Sequence, residues 1–108
     1  VASTGKRVFV YSIANFSTLR CLEQIRNDVC YMNNPVTIVS VCAGLSYGPL
    51  GYTHHAIEDL AVLRVFPNLE IYSPSGPSET IFAINEVLTS KVPSSCGLSL
   101  LTNPLSET

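Results

Sequence analysis

The chain has 108 residues, of which 46% are hydrophobic and only 13% are charged. That length fits one small domain with its own core, and the low charge predicts that a partner or neighbouring domain covers part of the surface. The net charge of -2, without any cluster of Lys or Arg, argues against a nucleic-acid partner. No apolar run is long enough to predict a membrane span.

The four cysteines are scattered along the chain at Cys21, Cys30, Cys42 and Cys96. They form no CxxC motif and have no spacing typical of a metal site. We therefore interpret them as small buried hydrophobic residues of a protein in the reducing cytoplasm. The first residues contain no apolar stretch of the length found in a secretory signal, so a cytoplasmic location is predicted.

The first half of the chain predicts a strand, a helix and a second strand. Residues 8–13 are almost continuously apolar, which is typical of a parallel strand covered on both faces. Asn15 or Ser17 is a candidate cap for a helix that ends near residue 33, because Pro35 prevents its continuation. Residues 36–42 are the strongest strand prediction. The apolar stripe of the helix is formed by Phe16, Leu19, Leu22, Ile25 (or Arg26), Val29 and Met32.

The second half begins with a glycine-rich stretch at residues 43–55, which holds both histidines. A helix is predicted to start at Thr53 or His55 and to reach Phe66, with two acidic residues in its first turn. A short strand follows at residues 69–73. Ser75 is a candidate cap and Pro77 a first-turn residue of the last helix. Its apolar stripe consists of Ile81, Phe82, Ile84, Val87 and Leu88. A weak strand at 96–101 precedes a tail at 102–108.

The predicted order is therefore β-α-β-α-β-α-β. Strands that alternate with helices favour an α/β fold of three layers, in which helices cover both faces of a mostly parallel sheet. The glycine-rich stretch leaves the carboxyl end of a strand and enters a helix. Ligands of open α/β sheets usually bind at such a place, so this stretch is the candidate site.

His54 and His55 are the residues of this stretch best suited to chemistry, because an imidazole near neutral pH can transfer a proton or donate to an oxyanion. The competing interpretation is that both are polar loop or helix-start residues without chemistry. Neither has metal-ligand spacing to a Cys or carboxylate, so no metal site is predicted. Phe16 is equally open to two interpretations, as a core residue or as a ring that stacks on a ligand.

Two further patterns in the stretch are weaker. Gly44, Gly48 and Gly51 permit positive φ angles, and a phosphate cradle is a poor alternative because neither GxGxxG nor a P-loop is present. Ser46 and Asp59 with a histidine suggest a hydrolase triad, but the GxSxG motif is missing.

Several short motifs, in this order and spacing, resemble the pyrimidine-binding domain of transketolase-like enzymes that depend on thiamine diphosphate. The resemblance covers roughly residues 5–90 and is closest to transketolase C-terminal sections, which form half of a split enzyme, and next to deoxyxylulose-phosphate synthases. The motifs are IRND at 25–28, GLSYG at 44–48, GYTHH at 51–55, EDLA at 58–61, LR at 63–64 and PN at 67–68.

The resemblance implies a pyrimidine-binding domain at residues 5–101, in an enzyme that moves a two-carbon ketol unit between sugars or sugar phosphates. In such enzymes the domain lies at a dimer interface, and a separate domain or subunit holds the cofactor's diphosphate and Mg²⁺, in a homodimer or heterotetramer. It implies that His54 is catalytic and that Phe16 stacks on the cofactor's pyrimidine. The substrate side of the pocket is expected to include His54, His55, Gly48 and Gly51.

The sequence also departs from the family pattern. Pro49 and Leu50 replace an acidic pair that is expected to bind a substrate hydroxyl. The glutamate that activates the cofactor is expected upstream of the first strand, so this chain is expected to be N-terminally truncated and inactive alone. The alternatives are a non-catalytic packing or dimerisation module, or the equivalent domain of a deoxyxylulose-phosphate synthase or 2-oxo-acid dehydrogenase β subunit.

Overall fold

A computed structural model describes residues 1–98, and four parallel strands form its sheet. The strands are β1 (Val8–Ile13), β2 (Val36–Val41), β3 (Glu70–Tyr72) and β4 (Ser94–Leu98). Their order across the sheet is β1-β2-β4-β3, with β2 and β4 in the centre. The register aligns Ile13 of β1 with Val41 of β2, so these two strands end side by side. The mostly parallel α/β sheet that the alternating pattern predicted is confirmed, and all three of its strand pairings are parallel.

The prediction that the first strand is covered on both faces is wrong. β1 lies at an edge of the sheet, where Phe9 and Val10 are about half exposed and Tyr11 is 77% exposed. By contrast, Thr37, Ile38 and Ser40 of β2 are buried. The apolar residues of β1 and β2 are too similar to distinguish the two strands. The order of the strands in the sheet decides which strand lies at an edge and which lies in the centre.

The first helical segment, residues 14–31, is not the single regular helix that the sequence predicted. It consists of α1 (Ala14–Thr18), a 3₁₀ turn (Leu19–Cys21), α2 (Leu22–Gln24) and a π-helical stretch (Ile25–Tyr31). The expected cap is also wrong, because α1 follows β1 directly at Ile13, and both Asn15 and Ser17 lie inside it.

The π-helical stretch changes which side chains face the core. A π-helix has i→i+5 hydrogen bonds and is wound more loosely than an α-helix, and the buried residues of this stretch are Ile25 and Cys30, five positions apart. The expected inward-facing Met32 is instead 63% exposed. The helical spacing of the sequence therefore identified the start of the stripe but not its end.

The helix after β2 starts later than expected. α3 spans Asp59–Leu63, whereas Thr53 lies in a turn and His55 in irregular backbone before it. The intervening residues 42–58 form what we call the site loop. It is closed at its base by a pair of hydrogen bonds between the backbones of Gly44 and Ala56, at 3.1 and 2.9 Å. These hydrogen bonds occupy the backbone N–H and C=O groups of Ala56. If the helix began at Thr53 or His55, the same groups would be needed for its helical hydrogen bonds.

The last helix, α4 (Pro77–Thr89), begins with Pro77 in its first turn, as expected, but Gly76 rather than Ser75 occupies the cap position. The backbone N–H and hydroxyl of Ser75 both donate to the carboxylate of Glu79, at 2.7 and 2.8 Å. β4 begins two residues before the predicted strand, and residues 99–101 of that prediction lie outside the described residues.

Helices cover both faces of the sheet, which confirms the three-layer expectation. On one face, Ile25, Cys30, Ile38 and Leu63 form the core beneath the first helical segment and α3. On the other face, α4 buries only Ala83 and Val87. Its remaining large apolar residues are exposed, against expectation: Ile81, Phe82, Ile84 and Leu88.

All four cysteines are free thiols, and three of them are buried, as the sequence predicted. Cys21 is the half-buried exception. Within residues 1–98, no helix has the length and hydropathy needed to cross a membrane.

Candidate functional site

The candidate site lies where β1 and β2 end. Because the two strands are parallel and in register at Ile13 and Val41, the chain leaves both at the same edge of the sheet. After β1 it enters α1 directly, and after β2 it enters the site loop. Cys42, the first residue of the loop, has a φ of 63°, an uncommon value for a residue other than glycine. This sharp change of direction at Cys42 turns the chain out of the sheet.

The site loop is shaped by its glycines and by its own backbone hydrogen bonds. A 3₁₀ turn at Gly48–Leu50 is followed by Gly51, whose φ of 75° and ψ of -168° are accessible essentially to glycine only. The carbonyl of Gly51 accepts from the backbone N–H groups of both His54 and His55, at 3.0 and 3.2 Å. The glycines thus have the structural role that was one of the two interpretations of the sequence.

Three aromatic rings meet at the end of β1. The ring of His54 packs edge-on against Phe16, with centroids 5.2 Å apart, and against Tyr47 of its own loop at 5.9 Å. We call this arrangement of Phe16, Tyr47 and His54 the aromatic slot. The guanidinium carbon of Arg20 lies 4.5 Å from the centroid of Phe16, close enough for a cation–π contact. The structure therefore brings together the two residues that the sequence singled out, Phe16 and His54.

Hydrogen bonds fix the ring of His54 on one side. Its Nδ1 lies 3.0 Å from the hydroxyl of Thr53. The amide nitrogen of Asn15 donates to the carbonyl oxygen of Thr53 at 2.5 Å, which joins α1 to the site loop. Among residues 1–98, no hydrogen-bond partner contacts Nε2 of His54. Sequence reasoning missed the roles of Asn15 and Thr53, because no local pattern relates residues 38 positions apart.

His55 has a different environment from His54. Its Nε2 is 3.0 Å from the carbonyl oxygen of Gly48, so this ring nitrogen donates a hydrogen bond within the loop. The contact ties the histidine to the 3₁₀ turn. The adjacent histidines therefore differ in geometry: one sits in the aromatic slot and the other braces the loop.

Two side chains, one in the site loop and one at the start of α3, have raised pKa values. Asp59 is only 6% exposed, and this burial raises its pKa, although the backbone N–H of Leu60 opposes the shift by donating to its carboxylate. The phenol of Tyr52 donates to Glu58 at 2.5 Å, and that hydrogen bond raises the pKa of Tyr52. Both shifts lie where the site loop joins α3.

The hydrolase triad, already disfavoured by the missing GxSxG motif, is not assembled. The hydroxyl of Ser46 donates to the carbonyl oxygen of Ala43 at 2.7 Å, and Asp59 accepts from Leu60. Neither residue is hydrogen-bonded to His54. Within the described part of the chain, no group of three or more His, Cys, Asp or Glu side chains is placed to hold a metal ion.

An apolar groove of about 600 Å³ continues from the aromatic slot between β1 and the first helical segment. Phe16 and Arg20 border it at the slot end, and aliphatic side chains form most of the rest. These are mainly Val8, Val10, Ile25, Val29, Val36 and Ile38. The site therefore combines a polar, histidine-bearing loop with a strongly apolar wall.

Comparison with known proteins identifies the family to which this fold and site belong. The model of the family described as "Transketolase, pyrimidine binding domain" matches residues 1–100. The chain belongs to this family. The pyrimidine-binding domain that the motifs at residues 25–68 implied is thereby confirmed.

Individual relatives agree with this membership. The domain is 45% identical over 80 residues to one subunit of the apulose-4-phosphate transketolase of Phocaeicola vulgatus, a match that covers 74% of this chain and 26% of that protein. It is 42% identical over 79 residues to the 1-deoxy-D-xylulose-5-phosphate synthase of Desulfotalea psychrophila, a match that covers 73% of this chain and 12% of that protein.

A solved structure shows the same architecture. The domain superposes on a split gene transketolase, described as an inactive beta4 tetramer, with a TM-score of 0.79 and 33% identity over 91% of this chain and 30% of that chain. The domain thus spans about a quarter of the apulose-4-phosphate transketolase polypeptide and less of the synthase.

Proposed function

We propose that this domain is part of a thiamine-diphosphate-dependent transferase that moves a two-carbon ketol unit between sugar-type substrates. The observation that carries the proposal is the position of His54, which packs against Phe16 at the carboxyl edge of the sheet. Membership of the transketolase family supports dependence on thiamine diphosphate. The second candidate is the equivalent domain of a deoxyxylulose-phosphate synthase, which the similarity to such a synthase favours.

The residues of the aromatic slot suit the ring part of this cofactor. Thiamine diphosphate, when bound, supplies the carbanion stabilisation that ketol transfer needs, and the protein supplies orientation and electrostatics. Phe16 is half-buried beside an apolar groove, as a ring that supports a flat heterocycle should be. Its role in this proposal is to orient the pyrimidine.

His54 is proposed to be the catalytic residue. Its Nδ1 is bonded to Thr53, so Nε2 is the atom that holds or donates a proton at a substrate oxygen. His55, Gly48 and Gly51 are proposed to form the substrate side of the pocket, where the glycines let the backbone approach the ligand. Pro49 and Leu50 stand in place of the acidic pair that is expected to bind a substrate hydroxyl. The proposed substrate class is therefore given only as sugars or sugar phosphates.

The remaining parts of the enzyme are proposed to come from outside residues 1–108. A diphosphate-binding domain or subunit would hold the cofactor's diphosphate and Mg²⁺, in a cytoplasmic homodimer or heterotetramer. Five large apolar residues in the site loop and at the start of α3 are exposed, and such exposure supports a neighbour that covers them. They are Leu45, Leu50, Tyr52, Ile57 and Leu60.

The catalytic proposal is tested by His54→Ala in the full-length enzyme. We expect the turnover number for ketol transfer to fall by roughly 100-fold or more, because a positioned acid–base group contributes about that much. Ser46→Ala is the matched control in the same loop, since its hydroxyl bonds only to Ala43 among the described residues. Full turnover in His54→Ala, with normal folding by circular dichroism, would remove His54 from the mechanism.

We also propose that the 108 residues alone are inactive and then serve as a packing or dimerisation module. The described residues provide an aromatic slot but no cluster of metal-binding side chains for the cofactor's diphosphate. Isothermal titration of the 108-residue chain with thiamine diphosphate and Mg²⁺ should therefore give little or no heat of binding. Tight binding by a chain that circular dichroism shows to be folded would contradict the need for a second domain.

A further inference from the structure

We propose that Asn15 is a positioning residue, which acts through Thr53 to hold the ring of His54 in the aromatic slot with its proton on Nε2. The proposal rests on the proposed function, in which Nε2 of His54 faces the reacting oxygen. Asn15 touches neither a catalytic atom nor the aromatic rings in this scheme. It acts by joining the segment that carries Phe16 to the loop that carries His54.

The first link is the hydrogen bond between Asn15 and the site loop. The side-chain amide of Asn15 donates to the carbonyl oxygen of Thr53 at 2.5 Å. A carbonyl oxygen only accepts, so the NH₂ group of Asn15 must face it. Because Asn15 and Phe16 are consecutive residues of α1, this bond also fixes the separation of the Phe16 and His54 rings.

The second link runs from Thr53 to the imidazole. The Thr53 hydroxyl lies 3.0 Å from Nδ1 of His54. In this proposal the hydroxyl is the donor and Nδ1 is the acceptor. A neutral imidazole with Nδ1 as acceptor carries its proton on Nε2. Thr53 therefore selects the tautomer that can donate to a substrate oxygen.

The hydrogen bond between Asn15 and Thr53 contributes little to the stability of the site loop. The base of the loop is already closed by the two bonds between Gly44 and Ala56, and Gly51 accepts from both histidine backbones. Asn15 and Thr53 form their bond at an exposed position, where a single hydrogen bond adds little net stability. Removing the Asn15 donor should therefore release the histidine ring while the fold persists.

The first test observes the ring directly in the full-length protein labelled with ¹⁵N-histidine, whose His54 signals are identified by their loss in His54→Gln. Asn15→Asp keeps the size of the side chain but removes the donor and places a negative charge against the Thr53 carbonyl. The expected result is a loss of the distinct Nδ1 and Nε2 shifts of the Nε2–H tautomer. Asn85→Asp makes the same change on α4, on the other face of the sheet, and should leave them unchanged.

The second test compares Thr53→Val, which removes the hydroxyl, with Thr53→Ser, which keeps it. We expect Thr53→Val and Asn15→Asp to lower the turnover number roughly 10- to 100-fold with smaller changes in KM, because small misplacements of a reacting group cost about that much. Thr53→Ser should restore both turnover and the His54 tautomer.

The proposal is overturned if the His54 nitrogen shifts are the same in Asn15→Asp as in the unmodified protein. It is also overturned if Thr53→Val lowers turnover without changing those shifts. The spectra do not depend on catalysis, so they separate this inference from the proposed function. If His54→Ala kept full turnover while Asn15→Asp still disturbed the ring, the proposed function would fail and the positioning would stand.

Discussion

Two segments that leave neighbouring strands at the same edge of the sheet are held in place by different means. After β1 the chain enters α1 without a loop, and Ala14 and Thr18 are completely buried one turn apart. The Thr18 hydroxyl donates to the carbonyl oxygen of Ala14 at 2.6 Å, which fastens this turn internally. After β2 the chain makes the site loop, which has no regular helix until Asp59.

This difference explains how the two sides of the aromatic slot, Phe16 and His54, are positioned. Phe16 is presented by a packed helical turn, so the core beneath it determines where its ring lies. His54 is presented by backbone that depends on glycine conformations and on a few long-range contacts. Substitutions in the core should therefore disturb both segments, whereas substitutions in the loop should disturb His54 alone.

The largest expected effect comes from Leu63→Ala, which removes a side chain that is 1% exposed and packs with Ile25 and Ile38 in the core. Loss of its buried atoms and the resulting cavity should lower the free energy of unfolding by about 2–5 kcal/mol. Urea denaturation followed by circular dichroism measures this change. Leu60→Ala in the same helix alters a 44% exposed residue and should cost about 0.5 kcal/mol; equal losses would show that α3 does not rest on this core.

A smaller effect, confined to the loop, is expected from Gly51→Ala. Its φ of 75° and ψ of -168° are strained for any residue with a Cβ, so the free energy of unfolding should fall by about 1–3 kcal/mol. Gly97→Ala is the matched control, because within residues 1–98 the new Cβ would meet only the carbonyl oxygen of Tyr72, at an ordinary 3.9 Å. Thermal denaturation that gave both variants the same loss would contradict a loop held by glycine conformation.

The smallest effect is expected at the junction of the loop with α3, from Asp59→Asn. Burial raises the pKa of Asp59 above its ordinary value of 3.8, so its contribution to stability is present below that value and is lost as the pH rises through the folded-state pKa. Asn does not titrate. The stability of Asp59→Asn relative to the unmodified protein should therefore be greater at about pH 7 than at about pH 3. Chemical denaturation at both pH values measures the difference, and an equal difference at both would disprove the burial effect.

Much of the architecture was predictable because it depends on local pattern. The alternation of apolar strands with helices specified a parallel α/β sheet, and the spaced motifs around His54 and the glycines specified the family. The ends of elements were less predictable. The first helical segment changes from α to π at Ile25, and the helix after the site loop starts only at Asp59, because tertiary contacts compete with helical propensity at both places.

The sequence by itself determined the fold class, the family and the identity of the two residues most worth testing, Phe16 and His54. Each of these follows from residue types at fixed short spacings. Only the tertiary structure decided that β1 is an exposed edge strand, that His55 braces its own loop, and that Asn15 reaches Thr53. Those features depend on the order of strands in the sheet and on contacts between distant segments, and no local pattern of residues encodes either of them.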